Sequence, residues 1–218
     1  MRTWPAAVLL ALLAAPLPAQ DPQLSSTDQA GDFYSVLNLF TGSHEYIQIR
    51  KLDSSGGNLW AQIRDPGVDQ RAAAIATDPA GGVTVASIMK DKGLRVMVLF
   101  HYTADGQYDW ERVFSDTVDN IPCATVTDRD GNYYIGGNAR KGSRTVARLW
   151  KYDPRGGMLW LREYDNISGN TYARQLQVDL AGNASLGVES VQSQTATSGQ
   201  YTLVTATYDP DGRQVSVR

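Results

Sequence analysis

Cysteine is almost missing from this chain. Cys123 is the only one among 218 residues, so no disulfide framework can form within it and stability has to come from packing. Histidine is nearly as scarce: His44 and His101 are the only two, and together with one cysteine they make a zinc-type ligand set implausible. No metal site and no cofactor are expected. Positive charge is not in excess either. The 20 Lys and Arg face 23 Asp and Glu, a net charge of −3, which gives no electrostatic footprint for nucleic acid. Beyond the N-terminus no stretch reaches the roughly 18 apolar residues of a membrane span, and long apolar patterns of helical period are lacking.

What is present begins with "MRTWPAAVLLALLAAPLPAQ". Arg2 is a short positive region, the stretch from Pro5 to Ala15 is apolar, and small and turn-forming residues follow. This order is that of a secretory signal peptide cut near Ala19, so residues 1–19 are expected to be removed and the remainder, 20–218, to be secreted or periplasmic.

The remainder repeats. "TDQAGDFYSVL", "TDPAGGVTVAS", "TDRDGNYYIGG" and "VDLAGNASLGV" place Asp28, Asp78, Asp128 and Asp179 at intervals of 50, 50 and 51 residues. A second motif keeps step: "KLDSSGGNLW", "HYTADGQYDW" and "KYDPRGGMLW" end at Trp60, Trp110 and Trp160, each 32 residues after the Asp of its unit. A fourth copy, "TYDPDGRQVS", ends at Ser216 without the Trp, after a longer polar stretch over 190–200. A period near 50 made of short strands predicts propeller blades.

Each Asp-x-x-Gly falls between two strand-like runs rich in β-formers. Asp at the first place of a type I turn, Pro at the second and Gly at the positive-φ place that closes a bulge fit Asp78-Pro79-Ala80-Gly81 and Asp153-Pro154-Arg155-Gly156 position by position. An EF-hand would need Gly sixth and Glu twelfth, whereas from Asp128 Gly131 is fourth and Ala139 twelfth. Asp128-x-Asp130-Gly131 therefore reads as a turn. The fold class expected is all-β: a β-propeller of four four-stranded antiparallel blades, over about 24–65, 72–116, 122–165 and 173–218, with a closed, a paired or a partial ring all compatible with the sequence.

The pattern "D-x-x-G-N-x-Y-x-x-G" followed by "K-Y-D-x-x-G-x-L-W" resembles the bacterial β-propeller repeats of the SBBP type and is similar to NHL repeats. The "LDSSGGNLW" and "YDPRGGMLW" copies also resemble, at shorter spacing, the tryptophan motif of quinone-type (PQQ-like) propellers. The resemblance implies a propeller fold and leaves the role open, because such blades serve many.

No base–nucleophile pair stands out, and no catalytic residue is expected. His101 shares its place in the repeat with Lys51 and Lys151, which suggests a solvated strand end, and Cys123 shares its place with Ala73. The three motif tryptophans suit packing between blades, since a repeated unit repeats its packing. Trp150 stands where the other units have Arg50 and Phe100, and is either packing or a surface contact. The candidate ligand-binding positions are on the variable loops: Asp69, Asp119 and Asn170, each just before an inner strand, with their unlike neighbours Arg71, Asn120 and Tyr172. The competing expectation is that Asp69, Asp119 and Asn170 tie down their loops by bonds to backbone. The function expected is a binding or scaffold module for a protein or glycan, with possible self-association through open blade edges. The alternatives are a propeller enzyme (PQQ-like, lyase or hydrolase) or a structural segment of a larger surface protein.

Overall fold

The computed structural model describes residues 24–165, 169–192 and 200–218. The signal-peptide expectation and most of the long polar stretch lie outside these residues. Sixteen strands form four antiparallel four-stranded sheets, each a simple meander. Blade 1 holds β1 (Ser25–Thr27), β2 (Phe33–Phe40), β3 (Glu45–Leu52) and β4 (Asn58–Arg64). Blade 2 holds β5 (Gln70–Thr77), β6 (Val83–Asp91), β7 (Leu94–Tyr102) and β8 (Tyr108–Phe114). Blade 3 holds β9 (Asp119–Thr127), β10 (Tyr133–Lys141), β11 (Arg144–Tyr152) and β12 (Met158–Tyr164). Blade 4 holds β13 (Gly169–Val178), β14 (Ala184–Gln192), β15 (Gln200–Tyr208) and β16 (Gln214–Val217). Among the described residues no helix is long and apolar enough to cross a membrane.

The strands of one blade are called a to d below, in chain order. Their turns are those the sequence predicts. In the a–b turn of blade 2, the Gly81 N–H donates to the Asp78 carbonyl at 3.0 Å, and Gly81 has φ +81°. The Asp78 Oδ1 accepts from the Ala80 and Gly82 amides at 2.8 and 2.9 Å. In the c–d turns the register slips by one residue at Lys51/Leu52, His101/Tyr102, Lys151/Tyr152 and Thr207/Tyr208, the bulge that Asp-x-x-Gly calls for. A second bulge recurs in strands β5, β9 and β13, where Ala73, Cys123 and Arg174 are left unpaired. These strands start two to four residues earlier than the sequence suggests (70, 119 and 169 against 72, 122 and 173), because the polar residues before them are already bonded.

Alternation of side chains gives each sheet two faces. Blades 1 and 2 bury Tyr34, Val36, Ile47 and Ile49 against Ile75, Val85, Val98 and Phe100. Blades 2 and 3 bury Ala86, Met97 and Leu99 against Tyr133, Ile135 and Trp150. Blades 3 and 4 bury Tyr134, Ala147 and Leu149 against Leu186, Val188 and Ala206. The core is therefore three sandwiched interfaces between consecutive blades. β7 and β11 are apolar along most of their length because both their faces are covered.

Candidate functional site

Most polar side chains that repeat are committed to holding neighbouring blades. The indole N–H groups of Trp60, Trp110 and Trp160 donate to the carbonyls of Ala104, Pro154 and Pro210, at 3.0, 3.2 and 2.9 Å. Each acceptor is the second residue of the next blade's c–d turn. Two residues after each Trp, Gln62, Arg112 and Arg162 donate to the carbonyls of Gly106, Gly156 and Gly212 in the same turns. A Cβ on any of those three glycines would lie 2.8 to 2.9 Å from the Trp ring. Trp150 is fully buried against Phe114 at the blade 2–3 interface, so it packs and makes no surface contact.

The six loop positions read from the sequence divide by chemistry. Asp69, Asp119 and Asn170 each use Oδ1 to accept a backbone N–H at the start of strand c in the preceding blade, from Glu45, Arg95 and Thr145, at 3.0, 2.8 and 2.8 Å. They staple the d–a connection of one blade to the b–c turn of its neighbour. Asp119 also pairs with the Arg95 guanidinium at 2.7 Å. Burial works against the Asp119 charge, but the Arg95 N–H and guanidinium outweigh it and hold the carboxyl below the usual carboxylate range. Asn120 is 0% exposed, with its amide on Asp116 and Val118 and its oxygen accepting from Arg148. Tyr172 is half-buried under the Arg174 guanidinium, 5.2 Å from its ring centre. Arg71 is exposed.

Sequence reasoning missed a buried cluster beside Asn120. Arg148, 4% exposed, donates to Asp116 at 2.7 Å and to Glu163 at 2.7 and 2.9 Å, and lies over the Trp150 ring. Its counterparts Gln48, Val98 and Val204 are uncharged, so no repeat announces it.

His101 corrects the expectation of a solvated strand end. It is 6% exposed and stacked on Trp110, with Nε2 2.8 Å from Asp78 and Nδ1 3.1 Å from Asp109. The Tyr133 hydroxyl donates to the same Asp78 oxygen at 3.1 Å. Burial opposes the Asp78 charge, but His101, the Gly82 amide and Tyr133 together hold it below the usual range. In blade 1 the equivalent Lys51 pairs with Asp28 and Asp32 at 3.1 and 3.2 Å. In blade 3, Asn132 occupies the free oxygen of Asp128, and Lys151 instead donates to the Pro210 carbonyl at 3.0 Å. Burial then lowers the Lys151 ammonium, and the surrounding carboxylates offset this only in part.

The a–b turns of blades 1 to 3 meet around a concavity of about 300 Å³, lined by Thr27, Asp28, Gln29, Thr77, Asp78, Pro79, Thr127, Asp128 and Arg129. Its three carboxylates are occupied by the bonds just described. The groups not committed to another blade are the unlike second residues of the turns, Gln29 and Arg129, the latter 3.8 Å from Asp130 of its own turn; the Thr127 Oγ1 is a buried hydroxyl without a described partner. Such a mouth can hydrogen-bond a polar ligand but shows no nucleophile beside a free base. Sequence reasoning placed ligand contacts on the opposite, d–a face and took this one as structural.

Comparison with known proteins adds little. No protein-family model matches the chain, and no curated protein matches it. A solved structure described as "Crystal structure of the eukaryotic initiation factor" is 9% identical, with a TM-score of 0.40, over 89% of this chain and 53% of that one. The chain thus spans about half the length of the structure it resembles.

Proposed function

We propose that this chain is an exported propeller-type repeat protein, with blades of the SBBP or NHL-like kind, that acts as a binding or scaffold module for a protein or glycan. The observation that carries this reading is the division of labour among polar residues. Those that repeat close turns and hold blades together, while the unlike ones sit at the two ends of a rigid scaffold, Gln29 and Arg129 on the a–b turns and Arg71 and Tyr172 near the starts of the inner strands β5 and β13. Function on loops carried by a stiff frame is the ordinary use of such an architecture. The signal-like N-terminus supports export.

Arrays of glycans and of extracellular proteins, probed with the 20–218 chain, test the reading. Binding that is lost in Gln29→Ala/Arg129→Ala, or in Arg71→Ala/Tyr172→Ala, with an unchanged melting temperature, supports it and assigns the face. Binding that survives both double variants removes both faces.

A further inference from the structure

The contacts of the repeated tryptophans have a direction. At each junction the earlier blade donates, through its Trp and the residue two places on, and the later blade accepts, through the carbonyls of its c–d turn. Two junctions add a tyrosine: the Tyr34 and Tyr134 hydroxyls donate to the carbonyls of Gly81 and Gly182 in the next blade's a–b turn. Blade 4 has lost this donor set. Ser216 stands in place of Trp, Ser185 in place of Tyr and Thr207 in place of Lys, although Arg218 remains where Arg112 and Arg162 lie. Its outward face places Thr205 and Thr207 where blade 3 has Leu149 and Lys151, although Leu203 and Tyr201 farther along the same face are exposed at 74% and 63%.

Blade 1 keeps the acceptor set. Its c–d turn, Asp53-Ser54-Ser55-Gly56, has the same hydrogen bonds as the others, and Gly56 has φ +87°. Yet no described atom lies within 4 Å of a Cβ built on Gly56 or on Gly31, whereas Gly106, Gly156 and Gly212 are covered by tryptophans. Around these open turns the same face exposes Phe33 at 39% and Leu37 at 43%. At its centre, where Phe100 and Trp150 fill the equivalent places, stands the exposed Arg50.

We propose that the outward face of blade 1 is a docking surface for the face of a β-sheet of another polypeptide, whose outer strand presents a tryptophan two residues before an arginine or glutamine. The three junctions inside the molecule show what such a face receives, and the uncovered Arg50 guanidinium adds a requirement for a carboxylate. A second copy of this chain is not the occupant, because its outward blade offers Ser216 and Ser185.

A probe chain tests this. Ser185→Tyr/Ser216→Trp restores the donor set, and Leu37→Asp in the same chain blocks its own acceptor face. Mixed with the wild-type chain, this probe should form a one-to-one complex by sedimentation, and the tryptophan at position 216 should become shielded from acrylamide. Leu37→Asp in the wild-type partner should abolish the complex. Circular dichroism melts of each chain check that all are folded. A mixture that stays as two folded monomers overturns the proposal. So does wild-type protein that associates with itself as well as with the probe, since Ser216 would then suffice.

Discussion

The indole N–H of Trp110 donates to the carbonyl of Pro154, 44 residues away and in the next blade, at 3.2 Å. The bond gives the repeated tryptophan its purpose: it fixes the outer strand of one blade on the turn of the following one, and its ring covers Gly156. Removing the ring opens a large cavity and leaves a carbonyl without its donor. Trp110→Ala should therefore cost about 3–5 kcal/mol, measured by urea unfolding, and more than the exposed substitution Leu159→Ala.

Two glycines in equivalent turns separate backbone strain from close approach. Gly56 and Gly106 have φ +87° and +83°, but a Cβ on Gly106 would meet Trp60 at 2.8 Å while one on Gly56 meets nothing described. Gly56→Ala should cost only the left-handed conformation, about 1–2 kcal/mol. Gly106→Ala should cost clearly more, and equal losses would contradict the placement of Trp60.

The turn from Asp128 to Gly131 gives a related contrast. Asp130→Ala removes a side chain that is largely in solvent, whereas Gly131 has φ +82° and faces Pro154 at 3.3 Å. Gly131→Val should destabilise by about 1–3 kcal/mol, with little effect from Asp130→Ala. Thermal melts of both variants decide it.

His101 and Asp78 set an acid dependence. The Asp78 carboxyl is depressed in the fold, so the stability it contributes is complete above the unfolded value of about 4 and is lost as pH falls through the lower folded value. His101→Leu should cost about 3 kcal/mol near neutrality by leaving a buried carboxylate short of a partner. The gap to wild type should narrow as pH falls below about 4. His101→Lys should be milder, because Lys51 and Lys151 occupy the same place. Urea titrations across the pH range check all three.

The fold was largely legible because its signals are local and repeated. Asp78-Pro79-Ala80-Gly81 specifies its turn without help from distant residues, and exact spacing from each Asp to its Trp reveals the unit. The repeat also hinted that Asp69, Asp119 and Asn170 are structural. It could not say which blade they reach, since a period gives equivalence and not adjacency. The burial of His101 was hidden for the same reason: its partner Asp109 and neighbour Tyr133 come from two different blades. The Arg148 cluster was invisible, because Asp116 and Asn120 on one d–a connection meet Glu163 of β12 and the set recurs in no other unit.

Trp60, Trp110 and Trp160 join blades and do not face a ligand. Amide and indole hydrogen exchange by NMR on the 15N-labelled 20–218 chain tests this most directly. The indole N–H groups of Trp60, Trp110 and Trp160 should be protected far beyond a solvent-exposed indole, and should exchange together with the core amides of β7 and β11. Exchange of these three indoles at the rate of a free side chain, while the core amides stay protected, would contradict it.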